Sequence, residues 1–266
     1  MTDCRWNIYQ DLHNQLNTEE ASNRFSAECI LDILWDYMQP SSVLDVGCGI
    51  GTWLAALQSR NVKDVYGIDG PWLNPGNLTC DRSLVQVCDL EAGFNLGRRF
   101  DLVVCLEVAE HLSPNAAEHF VESLTKHSAA ILFSAAIPFQ GGHHHVNEQF
   151  LPYWIERFAR HCFQPLDIIR GRIWDDSRIP WWLRQNIVLF AHKELIGRSE
   201  RLSAALAAYS RPTSIVHPDV YLSRLQGLQN QIHQFQQIAA FLRTGGTFRT
   251  KVRSDGRIDV TKIAEK

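Results

Sequence analysis

VLDVGCGIGTWLAAL, residues 43–57, joins an apolar strand pattern to a helical one through three glycines at alternate positions, Gly47, Gly49 and Gly51. Without a Cβ, the backbone at such positions turns tightly and can come close to a ligand at the N-terminus of the following helix. A glycine-rich turn alone is a weak signal, so its surroundings decide. The apolar runs SVLDV, DVYGID, LVQVCD, DLVVCLEV and AAILFSA recur down the chain, separated by segments of helical period such as GTWLAALQSR and residues 114–126. Strand and helix patterns alternating in this way predict an α/β fold, a doubly wound and mostly parallel sheet with helices on both faces.

Downstream, NEQFLPYWIERFARHC reads as a helix, PLDIIRG as a strand, WDDSRIPWWLR as an irregular insert and QNIVLFAHK as a last strand. That makes seven strands, the final two expected as an antiparallel pair at one edge. The main domain is expected to end near residue 194. Residues 195–266 are expected to form a helical extension, with YLSRLQGLQNQIHQFQQIAAFLR as its helix and a loosely ordered basic tail. The Gln-rich flank of that helix suits a partner, a homodimer among the candidates.

Composition narrows the function. Apolar and charged residues make up 45% and 21% of the 266 residues, ordinary for a globular chain, and a formal charge of -3 supplies no basic field for nucleic acid. Seven cysteines are scattered without paired metal spacing, which suits reduced thiols in the cytoplasm. The polar N-terminal stretch lacks the form of a signal peptide, and the longest apolar run is too short to span a bilayer.

Two acids extend the glycine motif. Asp69 ends the second strand pattern about twenty residues on, where a carboxylate can accept both hydroxyls of a ribose. Asp89, followed by Leu90, ends the third and would set a carboxylate and a backbone amide beside an adenine. With these residues in place, DVGCGIG, YGID, VCDLE and FDLVVCLEVAEHL resemble the motifs of class I S-adenosylmethionine-dependent methyltransferases over residues 25–192. The G-x-G-x-G spacing of Gly47, Gly49 and Gly51 is usual in that family, whereas dinucleotide-binding dehydrogenases carry G-x-G-x-x-G. The resemblance implies the methionine end of S-adenosylmethionine near Asp45, Gly47 and Gly49, its ribose on Asp69, and its adenine near Asp89 and Leu90. Glu107, at the end of the fourth strand, is expected to face the same pocket.

Glu107, Glu110 and His111 lie within about one helical turn and can converge on one point. The spacing is similar to the E-x-x-E-H group that binds a divalent metal in small-RNA 3′-terminal 2′-O-methyltransferases and ubiquinone-pathway O-methyltransferases. His145 with Glu148 is similar to the further H-x-x-E of the RNA enzymes, so Glu107, Glu110, His111 and His145 are candidate ligands for Mg²⁺, Mn²⁺ or Zn²⁺. In the alternative reading the acid caps the next helix and His111 packs beside the cofactor.

His143, His144 and His145 stand between Gly141-Gly142 and a helix pattern. His145 is the candidate general base, since an imidazole titrates near neutral pH and can take a proton from an alcohol. His144 and His111 are candidates to shape or assist the same catalytic pocket. Trp174, Trp181 and Trp182, with Asp175, Asp176 and Arg178, suit a sugar ring or flat acceptor, or equally an edge of the core, and Tyr153 and Trp154 carry the same two readings.

The function expected is O-methylation of a small hydroxylated acceptor, a glycan or secondary-metabolite intermediate; HVNEQF-x-x-YW looks like bacterial methyltransferases found with polysaccharide pathways. The alternatives are a metal-dependent RNA 2′-O-methyltransferase, which the acidic charge and lack of an RNA-binding module disfavour, and a non-catalytic cofactor-binding scaffold.

Overall fold

The computed structural model describes residues 20–208, 214–243, 247–252 and 258–263. The apolar runs become one sheet: β1 (Ser42–Val46), β2 (Asp64–Asp69), β3 (Val85–Val87), β4 (Leu102–Leu106), β5 (Ala130–Ser134), β6 (Phe163–Leu166) and β7 (Val188–His192). Strand order is β3-β2-β1-β4-β5-β7-β6. The first five strands pair in parallel, and β7 runs antiparallel to both β5 and β6. This is the doubly wound, mostly parallel sheet expected, with its antiparallel pair at one edge.

Burial on both faces explains why the central strands are apolar throughout rather than alternating. On β4, Leu102 and Val104 enter one core, with Val43, Leu132 and Leu189 and with Leu31 and Leu34 of helix α1 (Glu20–Trp35) and Leu54 and Leu57 of α2 (Thr52–Ser59). Val103 and Cys105 point the other way, into a second core with Phe120 and Leu124 of α3 (Ala117–His127) and Trp154 and Phe158 of α4 (Leu151–Arg160). Successive residues of a strand face opposite sides, so one strand feeds two cores. Sequence order reverses direction between β1 and β4, which opens a crevice at the carboxyl ends of the strands.

Three expectations are corrected. PLDIIRG is strand only through Leu166, because Asp167 accepts from Arg170 Nε at 3.0 Å and Nη2 at 2.8 Å, closing a buried ion-paired turn that starts a short helix, Arg170–Ile173. The insert is not irregular throughout, since Pro180 precedes a second short helix, Trp181–Asn186. The tail expected to be loosely ordered forms an antiparallel pair, β8 (Thr247–Val252) with β9 (Ile258–Ile263). Both segments carry several β-branched residues, Thr247, Thr250 and Val252 in one and Ile258, Val260, Thr261 and Ile263 in the other, a signal their basic, polar composition masked.

The chain divides into two compact units at Met1–His217 and Pro218–Lys266, later than residue 194. Helices Lys193–Gly197 and Glu200–Ala207 stay with the first unit because Ile196 and Leu202 are buried in its core. No helix among the described residues is long and apolar enough to cross a membrane.

The second core is aromatic at its centre. Phe158 stacks on Phe190 at 4.0 Å and 18° and meets Phe133 edge-on at 5.3 Å, with no exposed surface. Phe158→Ala should therefore cost about 3–5 kcal/mol of unfolding free energy, combining lost transfer energy with a cavity that packed neighbours cannot refill. Urea denaturation with an unchanged m-value is the measurement.

Candidate active site

At the end of β1 the chain enters the glycine turn. Gly47, Gly49 and Gly51 all adopt left-handed φ, at 76°, 53° and 84°. A Cβ on Gly47 would fall 2.3 Å from Val108 Cγ2, and one on Gly51 2.5 Å from Cys80 Sγ, so contact as well as conformation demands glycine at both. At Gly49 a Cβ would meet nothing within 4 Å, which leaves open space over the turn.

Asp69, at the end of β2, holds this turn. Its Oδ2 accepts from the Gly49 N–H and its Oδ1 from the Gly70 N–H, both at 2.6 Å. Asp45 is 3% exposed, and its Oδ2 has no hydrogen-bond partner among the described residues. Burial, reinforced by the charge of Asp69, pushes the Asp45 carboxyl up to about 8. An open glycine cradle beside an orphaned buried oxygen is a fit for a polar ligand that brings its own donors and positive charge. Asp89 is exposed and caps the turn Leu90–Ala92 by accepting from Glu91 N–H at 3.0 Å, while the Leu90 side chain enters the second core.

At the end of β4 the two glutamates stay close enough to interact but differ in their partners. Glu107 has φ 54°, a left-handed conformation that costs a non-glycine residue of order 1–2 kcal/mol. Its N–H donates to the Ser134 carbonyl and hydroxyl at 3.1 and 3.0 Å, locking the reversal against β5. Its two carboxylate oxygens accept from Gln140 Nε2 at 3.1 Å and Asn186 Nδ2 at 3.2 Å. Three residues later Glu110 has no exposed surface, and neither of its oxygens has a partner among the described residues. Burial, and next the charge of Glu107, raises its carboxyl well above the usual range.

Glu110 also anchors the histidine loop, because its carbonyl accepts from the Val146 and Asn147 N–H groups at 2.9 and 3.0 Å. Glu110, His111 and His145 each offer a ligand atom, all within 4.8 Å of one another, a set that could hold a divalent cation. Glu107, expected as a fourth ligand, is not among the three, and its carboxylate accepts from Gln140 and Asn186. The His111 and His145 rings meet edge to face at 4.9 Å. Burial, and then His145, lowers His111 to about 4, so its ring is neutral at physiological pH.

His145 Nδ1 lies 2.9 Å from Glu148 Oε1, and Glu148 in turn accepts from the Phe139 and Gly141 N–H groups, both at 2.7 Å. A carboxylate only accepts, so Nδ1 carries the proton and the Nε2 lone pair is left available. The ring sits so closely over Gly142 that a Cβ there would lie 2.3 Å from Nε2. His144 supplies the turn, at φ 57°, and His143 is exposed. The spacing of H-x-x-E hinted at Glu148; the amides of Gln140 and Asn186, far apart in sequence, gave no periodic signal.

The tryptophans divide. Trp154 is a core residue, 1% exposed and 5.3 Å from Phe133. Trp182 packs partly on the first core, and Trp174 lies 4.5 Å from His217. Arg178 turns back to Asp176 at 2.8 and 2.7 Å.

The family described as "Methyltransferase domain" matches residues 18–171, more than half of the chain, and the chain belongs to that family. It is a class I enzyme that uses S-adenosylmethionine as methyl donor. No curated protein matches the sequence. Among solved structures, the sugar N-methyltransferase KedS8 from Streptoalloteichus sp ATCC 53650 is 16% identical, with 68% of this chain and 92% of that one aligned at TM-score 0.51, a likeness of fold. The plantazolicin methyltransferase BpumL in complex with SAH is 16% identical over 72% and 92%, at TM-score 0.46. DesVI of Streptomyces venezuelae is 24% identical over 45% of this chain, at TM-score 0.37, and the alignment spans about half, 54%, of its length.

Because the Asp45 carboxyl titrates higher in the folded protein than its usual 3.8, the folded state binds that proton more tightly than the unfolded state. Its stabilising contribution is present at low pH and is lost as pH rises through about 8. Asp45→Asn, which keeps the shape and removes the charge, should gain about 1–3 kcal/mol over the wild type at pH 8.5 and little at pH 4. Thermal unfolding across that range checks it, and equal pH dependence in both proteins would contradict the assignment.

Proposed function

We propose that this methyltransferase acts on a hydroxyl of a small molecule, a sugar or glycan unit or a secondary-metabolite intermediate, with His145 as general base. The observation that carries the reading is the His145–Glu148 pair. An amine can attack with its lone pair and shed a proton afterwards, whereas an alcohol is a poor nucleophile until its proton is being removed. A carboxylate-oriented imidazole with a free Nε2 suits the second case.

Bound S-adenosylmethionine supplies a methyl group on a positively charged sulfur, reactive toward an in-line nucleophile. Asp45 and the Gly47–Gly49 backbone would hold its methionine end, Asp69 its ribose, and Asp89 with the Leu90 backbone its adenine. Glu107 borders the same crevice. His145 Nε2 takes the acceptor's proton, and Glu148 stabilises the resulting imidazolium through Nδ1. His111, neutral and edge-on, limits where the His145 ring can move, and His144 sets the loop that carries it. Phe139, Val146 and Phe150 are 87%, 59% and 42% exposed around the histidine loop and offer apolar surface on which a sugar or flat ring can rest.

A second reading is favoured by Glu110, whose fully buried oxygens have no hydrogen-bond partner among the described residues and lie beside His111 and His145. These three would hold Mg²⁺ or Mn²⁺, an ion that acidifies a bound hydroxyl, and His145 would be a ligand with Glu148 fixing its orientation.

Asp69→Ala should weaken S-adenosylmethionine binding by about 2–4 kcal/mol through loss of charge-assisted hydrogen bonds to the ribose. Isothermal titration on the folded variant reads it, and unchanged affinity would remove Asp69 from the cofactor site.

His145→Ala separates the two catalytic readings. For a base, turnover should fall about 10²–10⁴-fold with cofactor affinity retained, and EDTA should have no effect on the wild type. For a metal site, EDTA should abolish activity, Mg²⁺ or Mn²⁺ should restore it, and alanine at Glu110, His111 or His145 should cost similar amounts. Full activity of His145→Ala on a panel of hydroxylated acceptors, without chelator sensitivity, would eliminate both.

A further inference from the structure

Most of the large apolar side chains exposed among the described residues lie on one helix, Pro218–Arg243. Leu225, Leu228, Ile232, Phe235, Ala239 and Leu242 follow one another at alternating steps of three and four, and Tyr221 lies one step of four before them. Leu228, Ile232 and Phe235 at the centre are 55%, 55% and 70% exposed. A mean step of about 3.5 residues, rather than 3.6, is the period of a left-handed coiled-coil seam, which keeps one narrow stripe on its partner over several turns. A helix resting on a globular core carries a broader stripe.

The residues beside the seam say which partner fits. Gln229, Gln231 and Gln236 flank it, neutral groups that neither repel an identical helix nor select a charged one. The only formally charged residues are Asp219 at one end, Arg224 near it, and Arg243 at the other end. Parallel copies would align Asp219 with Asp219 and Arg243 with Arg243. Antiparallel copies set Asp219 beside Arg243 at both ends and oppose the helix dipoles. The helix has 26 residues, so it is about 39 Å long. Its seam can bury roughly 1,000–1,600 Å² across two copies, the range of a stable dimer.

We propose that helix Pro218–Arg243 pairs with the same helix of a second copy as an antiparallel two-stranded coiled coil. Leu228 and Ile232 form the middle of its seam, and the pairing is independent of the acceptor and of the catalytic reading above. Sedimentation equilibrium on the full chain should find a dimer. The double variant Leu228→Lys, Ile232→Lys should weaken it at least about 100-fold, since two buried apolar contacts are replaced by charges. Gln234→Lys, on the opposite side of the helix, should leave it intact. Asp219→Arg should weaken the dimer about 3- to 10-fold, and Asp219→Arg with Arg243→Asp should recover it.

A wild type that stays monomeric at high concentration would overturn the proposal. So would a dimer that survives the seam substitutions with helix content unchanged by circular dichroism. An Asp219→Arg variant of undiminished affinity would overturn the antiparallel arrangement.

Discussion

The carboxylate of Asp69 ties the end of β2 to the glycine turn after β1, through two 2.6 Å bonds to the Gly49 and Gly70 N–H groups. Each bond joins a charge to a backbone donor at a strand terminus, where the sheet ladder has ended and the amides would otherwise face the crevice unsatisfied. Asp69 braces the left-handed path through Gly47, Gly49 and Gly51 together with the Ile68 carbonyl, which accepts from the Gly47 and Cys48 N–H groups at 2.8 and 3.2 Å, and α2 starts where that path ends. Asp45 lies beside Asp69, and burial together with the Asp69 charge raises the Asp45 carboxyl to about 8.

The second dependence is between β4 and the histidine loop. Glu110 gives its backbone carbonyl to Val146 and Asn147, so the chain segment carrying His145 is docked by main-chain bonds to the segment carrying His111. Strain is concentrated here. Glu107, Phe139 and His144 are all non-glycine residues at positive φ, between 54° and 66°.

Much of this was legible from residue order, and the reasons differ by element. β1, β4, β5 and β7 are short apolar runs buried on both sides, a pattern that survives without any knowledge of neighbours. PLDIIRG misleads because its isoleucines are buried as a strand's would be, while the Asp167–Arg170 pair that bends the chain is visible only once both groups are out of water. The β8–β9 pair was hidden by composition, as its lysines, arginine and threonines looked solvated although β-branched residues recur in both strands. At the site, the acids at the ends of β1, β2 and β3 could be placed by strand counting alone.

Glu107 and Glu110 show where spacing stops being informative. A three-residue separation predicts convergence only if the backbone between them is helical, and the left-handed Glu107 breaks that assumption before the turn Ala109–His111 begins. One carboxylate is therefore delivered to the amides of Gln140 and Asn186, donors that stabilise its charge. The other is fully buried beside two imidazoles, where burial and next the charge of Glu107 raise its carboxyl well above the usual range. Identical side chains in one short motif thus acquire different surroundings, one held by two side-chain amides and the other fully buried beside two imidazoles.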